Sequence, residues 1–68
     1  MQAHQERVVV EKKELDEKLN KLKAFIEGGA IFKTLPEDEK HRLNRQFDVM
    51  AEYSRILRQR IDAFPVTV

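Results

Sequence analysis

Seven side chains in the second half of the sequence recur at alternating intervals of four and three residues. They are Leu43, Phe47, Met50, Ser54, Leu57, Ile61 and Phe64. An α-helix brings residues at these intervals onto one face, and neither Gly nor Pro interrupts the chain between Pro36 and Pro65. We therefore predict a long helix over about residues 36–64, with this face, called the seam, packed against an antiparallel partner helix.

The first half of the sequence supplies that partner, predicted over about residues 5–27. Its apolar positions fall within roughly 60° of one another on a helical wheel. They are Val8, Leu15, Leu19, Leu22 and Ile26. Gly28 and Gly29 follow, and they are predicted to end the helix as a left-handed C-cap. A phosphate-binding nest at this pair is the alternative, but the flanking residues lack the rest of a Walker pattern.

The connection between the two predicted helices is too apolar for a free loop. It contains Ile31, Phe32 and Leu35. We expect it to fold back over the end of the helix pair. The following residues match a capping box, with Thr34 as N-cap, Pro36 in the first turn and Glu37 three positions into the helix. The sequence therefore predicts an all-α fold: one domain over residues 1–68, an antiparallel two-helix hairpin with short N-terminal and connecting segments.

The second predicted helix carries more apolar surface than the first can cover. Beside the seam runs an outer stripe formed by Val49, Tyr53, Ile56 and Ala63. Seam and stripe together span roughly 200° of the helix surface, against roughly 60° offered by the first helix. A chain of 68 residues without cysteine also has a small core and no disulfide to stabilise it. These features predict a helical homo-oligomer, with an unrelated protein partner as the alternative.

Composition excludes several classes of function. Thirteen Lys and Arg against twelve Asp and Glu leave a net charge of +1, too little for a protein that coats duplex DNA. No apolar run is long enough for a membrane span, and the N-terminus lacks the organisation of a signal peptide, so we expect a cytosolic protein. With two His and no Cys, neither a structural zinc site nor a nucleophilic triad is expected. We predict no cofactor and no enzymatic activity.

The arginines of the second helix divide between two faces. Arg60 and Tyr53 lie within about 20° of each other inside the outer stripe, whereas Arg55 and Arg58 face the opposite, polar side. Arg and Tyr at such a position are either anchors of a protein interface or parts of an anion pocket, where Arg contacts phosphate and the aromatic ring stacks on a base. Lys12, at the rim of the first helix's stripe, is a further candidate because a subunit boundary would lie there.

Four stretches of this sequence, in this order, resemble a family of short bacteriophage proteins. They are "HQERVV", "EKKELDEKLNKLKAFI", "FKTLP" and "LNRQFDVMAEYSRILRQRI", and they span about residues 4–64. Their most specific parts are the patterns KLxKLxxFI at residues 18–26 and MxxYxxxLxxRI at residues 50–61. The chain is similar in these segments to the anti-CBASS and anti-Thoeris sponges, which share a helical hairpin.

The resemblance implies a function. Sponges of this kind bind the cyclic oligonucleotide messengers of bacterial immunity and hold them without cleaving them, in the cytoplasm of the infected bacterial host. The family's better-known members are hexamers with ligand pockets between subunits. Lys21, Tyr53 and Arg60 match the motif positions and are implied to bind the ligand, and Lys12 is added from its place on the wheel.

The resemblance leaves the ligand open. Family members that bind cyclic dinucleotides use an aromatic residue early in the first helix, and here no aromatic residue precedes Phe25. A cyclic dinucleotide, a cyclic trinucleotide and a messenger made by a TIR enzyme are all retained as expectations. Two other functions are also retained: an adaptor that binds a host protein through the outer stripe, and a weak nucleic-acid binder that uses Arg55 and Arg58.

Overall fold

The computed structural model describes residues 2–65, and this part of the chain is helical with no strand. It contains α1 (Ala3–Gly28), α2 (Ala30–Thr34) and α3 (Glu37–Asp62). The all-α class is confirmed, and the two long helices agree with the predicted ranges to within two residues at each end. The connecting segment, for which the sequence predicted no helix, contains the five-residue helix α2.

The first turn of α1 is held by the residue that precedes it. The backbone N–H of Gln2 donates to Oε1 of Gln5 at 2.9 Å, and the backbone N–H groups of Gln5 and Glu6 both donate to the carbonyl oxygen of Gln2 at 3.0 Å. The first N–H groups of a helix lack partners within the helix, so these bonds let α1 begin earlier than its apolar periodicity indicates.

Helices α1 and α3 lie side by side and run in opposite directions. Lys12 of α1 contacts Ser54 of α3, whereas Ile26, further along α1, lines one cavity with Phe47, which lies earlier in α3. The core is built from Val8 and Leu15 of α1 and Leu57 of α3. Met50, Ile61 and Phe64 pack against it and are half-buried. The predicted seam is confirmed, since each of its seven residues is buried or half-buried.

The glycine pair ends α1 by a different mechanism from the predicted one. No glycine of residues 2–65 has a positive φ, and Gly29 has a φ of −89°, so the left-handed C-cap is wrong. Gly29 is needed for space instead. A Cβ there would overlap the carbonyl oxygen of Phe25 and would lie 3.1 Å from Cβ of Phe32. The absence of a side chain lets the backbone fold directly from α1 into α2.

The start of α3 also differs from the prediction. Thr34 is the last residue of α2, and its hydroxyl donates to the carbonyl oxygen of Ile31 at 2.6 Å. The N-cap of α3 is Pro36, whose carbonyl oxygen accepts from the N–H groups of Glu39 and Lys40 at 3.1 Å each. The predicted capping box is therefore wrong, because Pro36 occupies the N-cap position and no side chain caps α3.

The connecting segment packs against the end of α1 through an aromatic pair. The rings of Phe25 and Phe32 meet edge to face, with centroids 6.3 Å apart and an interplanar angle of 84°. Nζ of Lys40 lies 6.0 Å from the centre of the Phe32 ring and 3.1 Å from a carboxylate oxygen of Glu37. These contacts order the turn, as expected from its apolar character, although Ile31 remains 65% exposed. No helix among residues 2–65 is both long enough and apolar enough to cross a membrane.

Candidate ligand-binding face

The outer stripe of α3 is uncovered in the single chain. Val49 is 69% exposed, Tyr53 40% and Ile56 44%, and Ala63 is also exposed. Helix α1 covers the seam of α3 but does not cover the outer stripe. The excess apolar surface that the sequence predicted is therefore present, and large apolar side chains that share a face in this way indicate an interaction surface.

Within this stripe, Tyr53 and Arg60 provide groups suited to an anionic aromatic ligand. They are seven residues apart, which places them on one face of α3, two turns and about 10 Å along the axis. Both are exposed, and among residues 2–65 Arg60 forms no ion pair. By contrast, Arg42 on the same face pairs with Glu39 at 2.8 Å. Arg60 thus keeps its planar set of donors available for a phosphate.

The arginines on the opposite face are already neutralised by neighbours on α3. The guanidinium of Arg55 contacts Glu52, with its two donors 2.7 and 2.9 Å from one carboxylate oxygen. The guanidinium of Arg58 contacts Asp62 at 3.1 Å. Both pairs are exposed, so they add little to stability. A nucleic-acid backbone on this face would have to displace the carboxylates of Glu52 and Asp62 from these arginines.

Lys12 takes part in a polar network between α1 and α3, here called the register network. Its Nζ donates to Oδ2 of Asp16 at 2.8 Å and to Oγ of Ser54 at 2.9 Å, and the Ser54 hydroxyl donates to Oδ1 of Asp16 at 2.5 Å. Ser54 is buried. The hydrogen bond from Lys12, with a smaller contribution from that of Ser54, lowers the pKa of Asp16. The charge of Lys12 is therefore balanced inside the chain.

Sequence reasoning missed the register network, although its residues were visible. Ser54 is the one polar member of an otherwise apolar seam, and Lys12 and Asp16 stand one helical turn apart at the rim of the α1 stripe. A buried serine hydroxyl requires a hydrogen-bonding partner, which is either a carbonyl of its own preceding turn or a polar residue of the facing helix. What the sequence lacked was the register of α1 against α3, which decides which polar residue lies opposite.

The four residues implied in ligand binding do not converge within one chain. Lys12 lies in the register network, while Tyr53 and Arg60 project from the outer stripe. Lys21 is exposed on α1, five residues beyond Asp16 towards the turn, and Arg60 is six residues beyond Ser54 in the other direction. At 1.5 Å per residue, Lys21 and Arg60 are separated by about 16 Å along the helix pair. One pocket containing all four would require more than one copy of the chain.

The described residues thus form a small helical protein with two paired amphipathic helices, an exposed apolar stripe and an exposed arginine without an ion pair. The chain belongs to the Sequestin family, whose model matches residues 2–63. The family name fits the predicted resemblance to phage proteins that sequester cyclic oligonucleotides, and that prediction is confirmed at the level of the family. No curated protein and no solved structure shows significant similarity to the chain.

Proposed function

We propose that this protein binds cyclic oligonucleotide messengers of bacterial immunity and holds them intact, which prevents CBASS-type signalling in the cytoplasm of an infected bacterium. The observation that carries the proposal is the exposed face of α3, where Tyr53 and Arg60 stand available in a chain of the Sequestin family. A family named for sequestration supports binding of a small ligand, and the chemistry of this face supports one with phosphates and bases.

The roles of the two residues follow from their side chains. A guanidinium donates two parallel hydrogen bonds to phosphate oxygens, and this geometry makes arginine well suited to bind a phosphodiester. A tyrosine ring stacks on a base with a gain of about 1–3 kcal/mol and little dependence on the identity of the base. Such a pair suits a cyclic di- or trinucleotide, which offers a base and a phosphate at each repeat.

Assembly completes the pocket in this proposal. Val49 and Ile56 remain exposed in one chain, and a second copy of the helical hairpin is their proposed cover. A homo-hexamer with pockets between subunits would bring Lys21 of one chain to Tyr53 and Arg60 of another. In such a pocket the Lys12 ammonium would donate one hydrogen bond to Asp16 and another to the ligand.

The proposed role is binding without catalysis. Among residues 2–65 no three His, Cys, Asp or Glu side chains are grouped as metal ligands. His4 and His41 are both exposed. The Ser54 hydroxyl donates to the Asp16 carboxylate, but Ser54 is buried between α1 and α3, away from the outer stripe, so we expect a bound phosphodiester to be released unchanged.

A direct test is to incubate the purified protein with a panel of cyclic di- and trinucleotides and TIR-derived messengers, remove free ligand, and release bound ligand by heat. Chromatography of the released material should show at least one intact messenger in a stoichiometric amount. Release of a cleaved product would contradict sequestration. If no messenger is retained and a host protein binds in a stoichiometric complex, the exposed stripe serves the alternative function, that of a protein-binding adaptor.

A further inference from the structure

The cavity lined by Ile26 and Phe47 lies between α1 and α3 near the turn, away from the outer stripe. Its volume is about 340 Å³, which lies in the range of small-molecule sites. Ile26 of α1 and Phe47 of α3 are its apolar residues, and both are half-buried. Asp48, at its rim, is five residues from Tyr53, which is about 140° around α3. The cavity is therefore distinct from the face that carries Tyr53 and Arg60.

Four polar side chains surround the apolar residues of this cavity. They are Lys23, Glu27, Asn44 and Asp48. All four are exposed, and within residues 2–65 none of them forms a side-chain hydrogen bond or an ion pair. One ammonium, one amide and two carboxylates thus line an apolar surface without a hydrogen-bonding partner among the described residues.

The charge of the rim selects against phosphate. One Lys and two carboxylates give the cavity a net charge of −1, so a phosphate group would meet more repulsion than attraction there. The carboxylates would accept hydrogen bonds from a neutral ligand with adjacent N–H donors. Lys23 or the Asn44 amide would donate to an acceptor elsewhere on the same ligand. A flat aromatic body suits contact with Phe47.

We propose that this cavity binds a guanine base. Guanine presents N–H donors on its Watson–Crick edge, which a carboxylate accepts, and its O6 and N7 are acceptors for an ammonium or an amide. Adenine has an unprotonated ring nitrogen at the corresponding place on its edge, which would face a carboxylate oxygen with no proton between them. Recognition here requires no phosphate, so the proposal extends the proposed function and does not depend on it.

Guanosine, which carries no phosphate, is the probe that separates this site from the outer stripe. Titration into the isotopically labelled protein, followed by NMR, should shift the amide signals of Asn44 and Phe47. Adenosine should bind at least about tenfold more weakly, because it leaves a carboxylate oxygen without a donor. The double variant Glu27→Gln and Asp48→Asn should lose guanosine binding, while Glu14→Gln, which changes an exposed carboxylate of α1 outside this cavity, should bind as the parent does.

The outcomes are distinct. Equal binding of guanosine and adenosine, or unchanged guanosine binding by the double variant, would overturn the guanine site. Guanosine binding is measured without any cyclic oligonucleotide present. Arg60→Ala, which changes only the outer stripe, should leave guanosine binding unaltered. If cyclic oligonucleotides bind while guanosine causes no shift at Asn44 or Phe47, the proposed function survives and the guanine site does not.

Discussion

Ile56 and Leu57 are consecutive aliphatic residues of α3, yet they have opposite environments. Leu57 is completely buried against α1, whereas Ile56 keeps 44% of its surface exposed. The difference arises because successive residues of a helix point about 100° apart, so Leu57 lies on the seam and Ile56 on the outer stripe. The inner face of α3 builds the fold of one chain, and its outer face leaves large apolar side chains exposed.

Truncating Leu57 and Ile56 separately tests whether the two faces of α3 contribute differently to stability. Leu57→Ala should lower the free energy of unfolding by about 2–5 kcal/mol, because it removes a fully buried side chain and leaves a cavity. Ile56→Ala should cost less than about 1 kcal/mol in the fold of the chain. Urea denaturation followed by circular dichroism measures both. Similar losses in the two variants would mean that the faces are misassigned.

A charge on the outer face tests the proposed assembly. Ile56→Glu should weaken self-association by at least about 2 kcal/mol, since an unpaired carboxylate would be buried in an apolar contact. Sedimentation velocity at micromolar concentration should show a multimer for the parent and smaller species for the variant. A parent protein that sediments as a single 8.1 kDa species would remove the argument from the exposed stripe. Retained helical circular dichroism would show that the variant remains folded.

The inner face contains one polar exception, Ser54, whose loss should have a smaller effect. Ser54→Ala removes the hydroxyl between Lys12 and Asp16 and should destabilise the chain by about 1 kcal/mol, because both partners lose a hydrogen bond at a buried position. Ser54→Thr keeps the hydroxyl and serves as the matched control. Thermal denaturation of the three proteins measures the difference, and a neutral Ser54→Ala variant would show that the register network adds nothing to stability.

The same network predicts a dependence on pH. The pKa of Asp16 is lowered in the folded chain, chiefly by the hydrogen bond from Lys12. Its carboxylate therefore stabilises the fold above the unfolded-state pKa of about 3.9, and that contribution is lost as pH falls through the lower folded-state value. Asp16→Asn should lower stability at neutral pH and should show a smaller loss on acidification. A parent and variant with parallel stability curves below about pH 4 would contradict this account.

The helical periodicity of the sequence predicted both faces of α3, because apolar spacing directly records which side chains share a face. It predicted the turn less well. Gly29 and Thr34 have common roles as helix caps, but here Gly29 avoids a steric overlap and Thr34 bonds within α2. Those roles depend on where Phe25 and Ile31 place their carbonyl oxygens, which local pattern does not reveal.

The candidate site could be predicted only where its residues lie on one helix. Tyr53 and Arg60 share a face by spacing alone, and the structure leaves both exposed as expected. The contact of Lys12 with Ser54, and the cavity that joins Ile26 to Phe47, each require the register of two helices. That register results from packing of the whole seam and cannot be obtained from either helix separately. The binding roles of Lys12, Lys21, Tyr53 and Arg60 stay predictions.

The central claim is that the outer face of α3 binds the phosphates of a cyclic oligonucleotide through Arg60. Isothermal titration of the messenger retained by the parent protein, repeated with Arg60→Ala and Arg58→Ala, tests it most directly. Arg60→Ala should weaken binding at least about tenfold, or about 1.4 kcal/mol, while the protein keeps its oligomeric state. Arg58→Ala, on the opposite face and already paired with Asp62, should bind as the parent does. Unchanged binding by Arg60→Ala, or equal loss in both variants, would contradict the account.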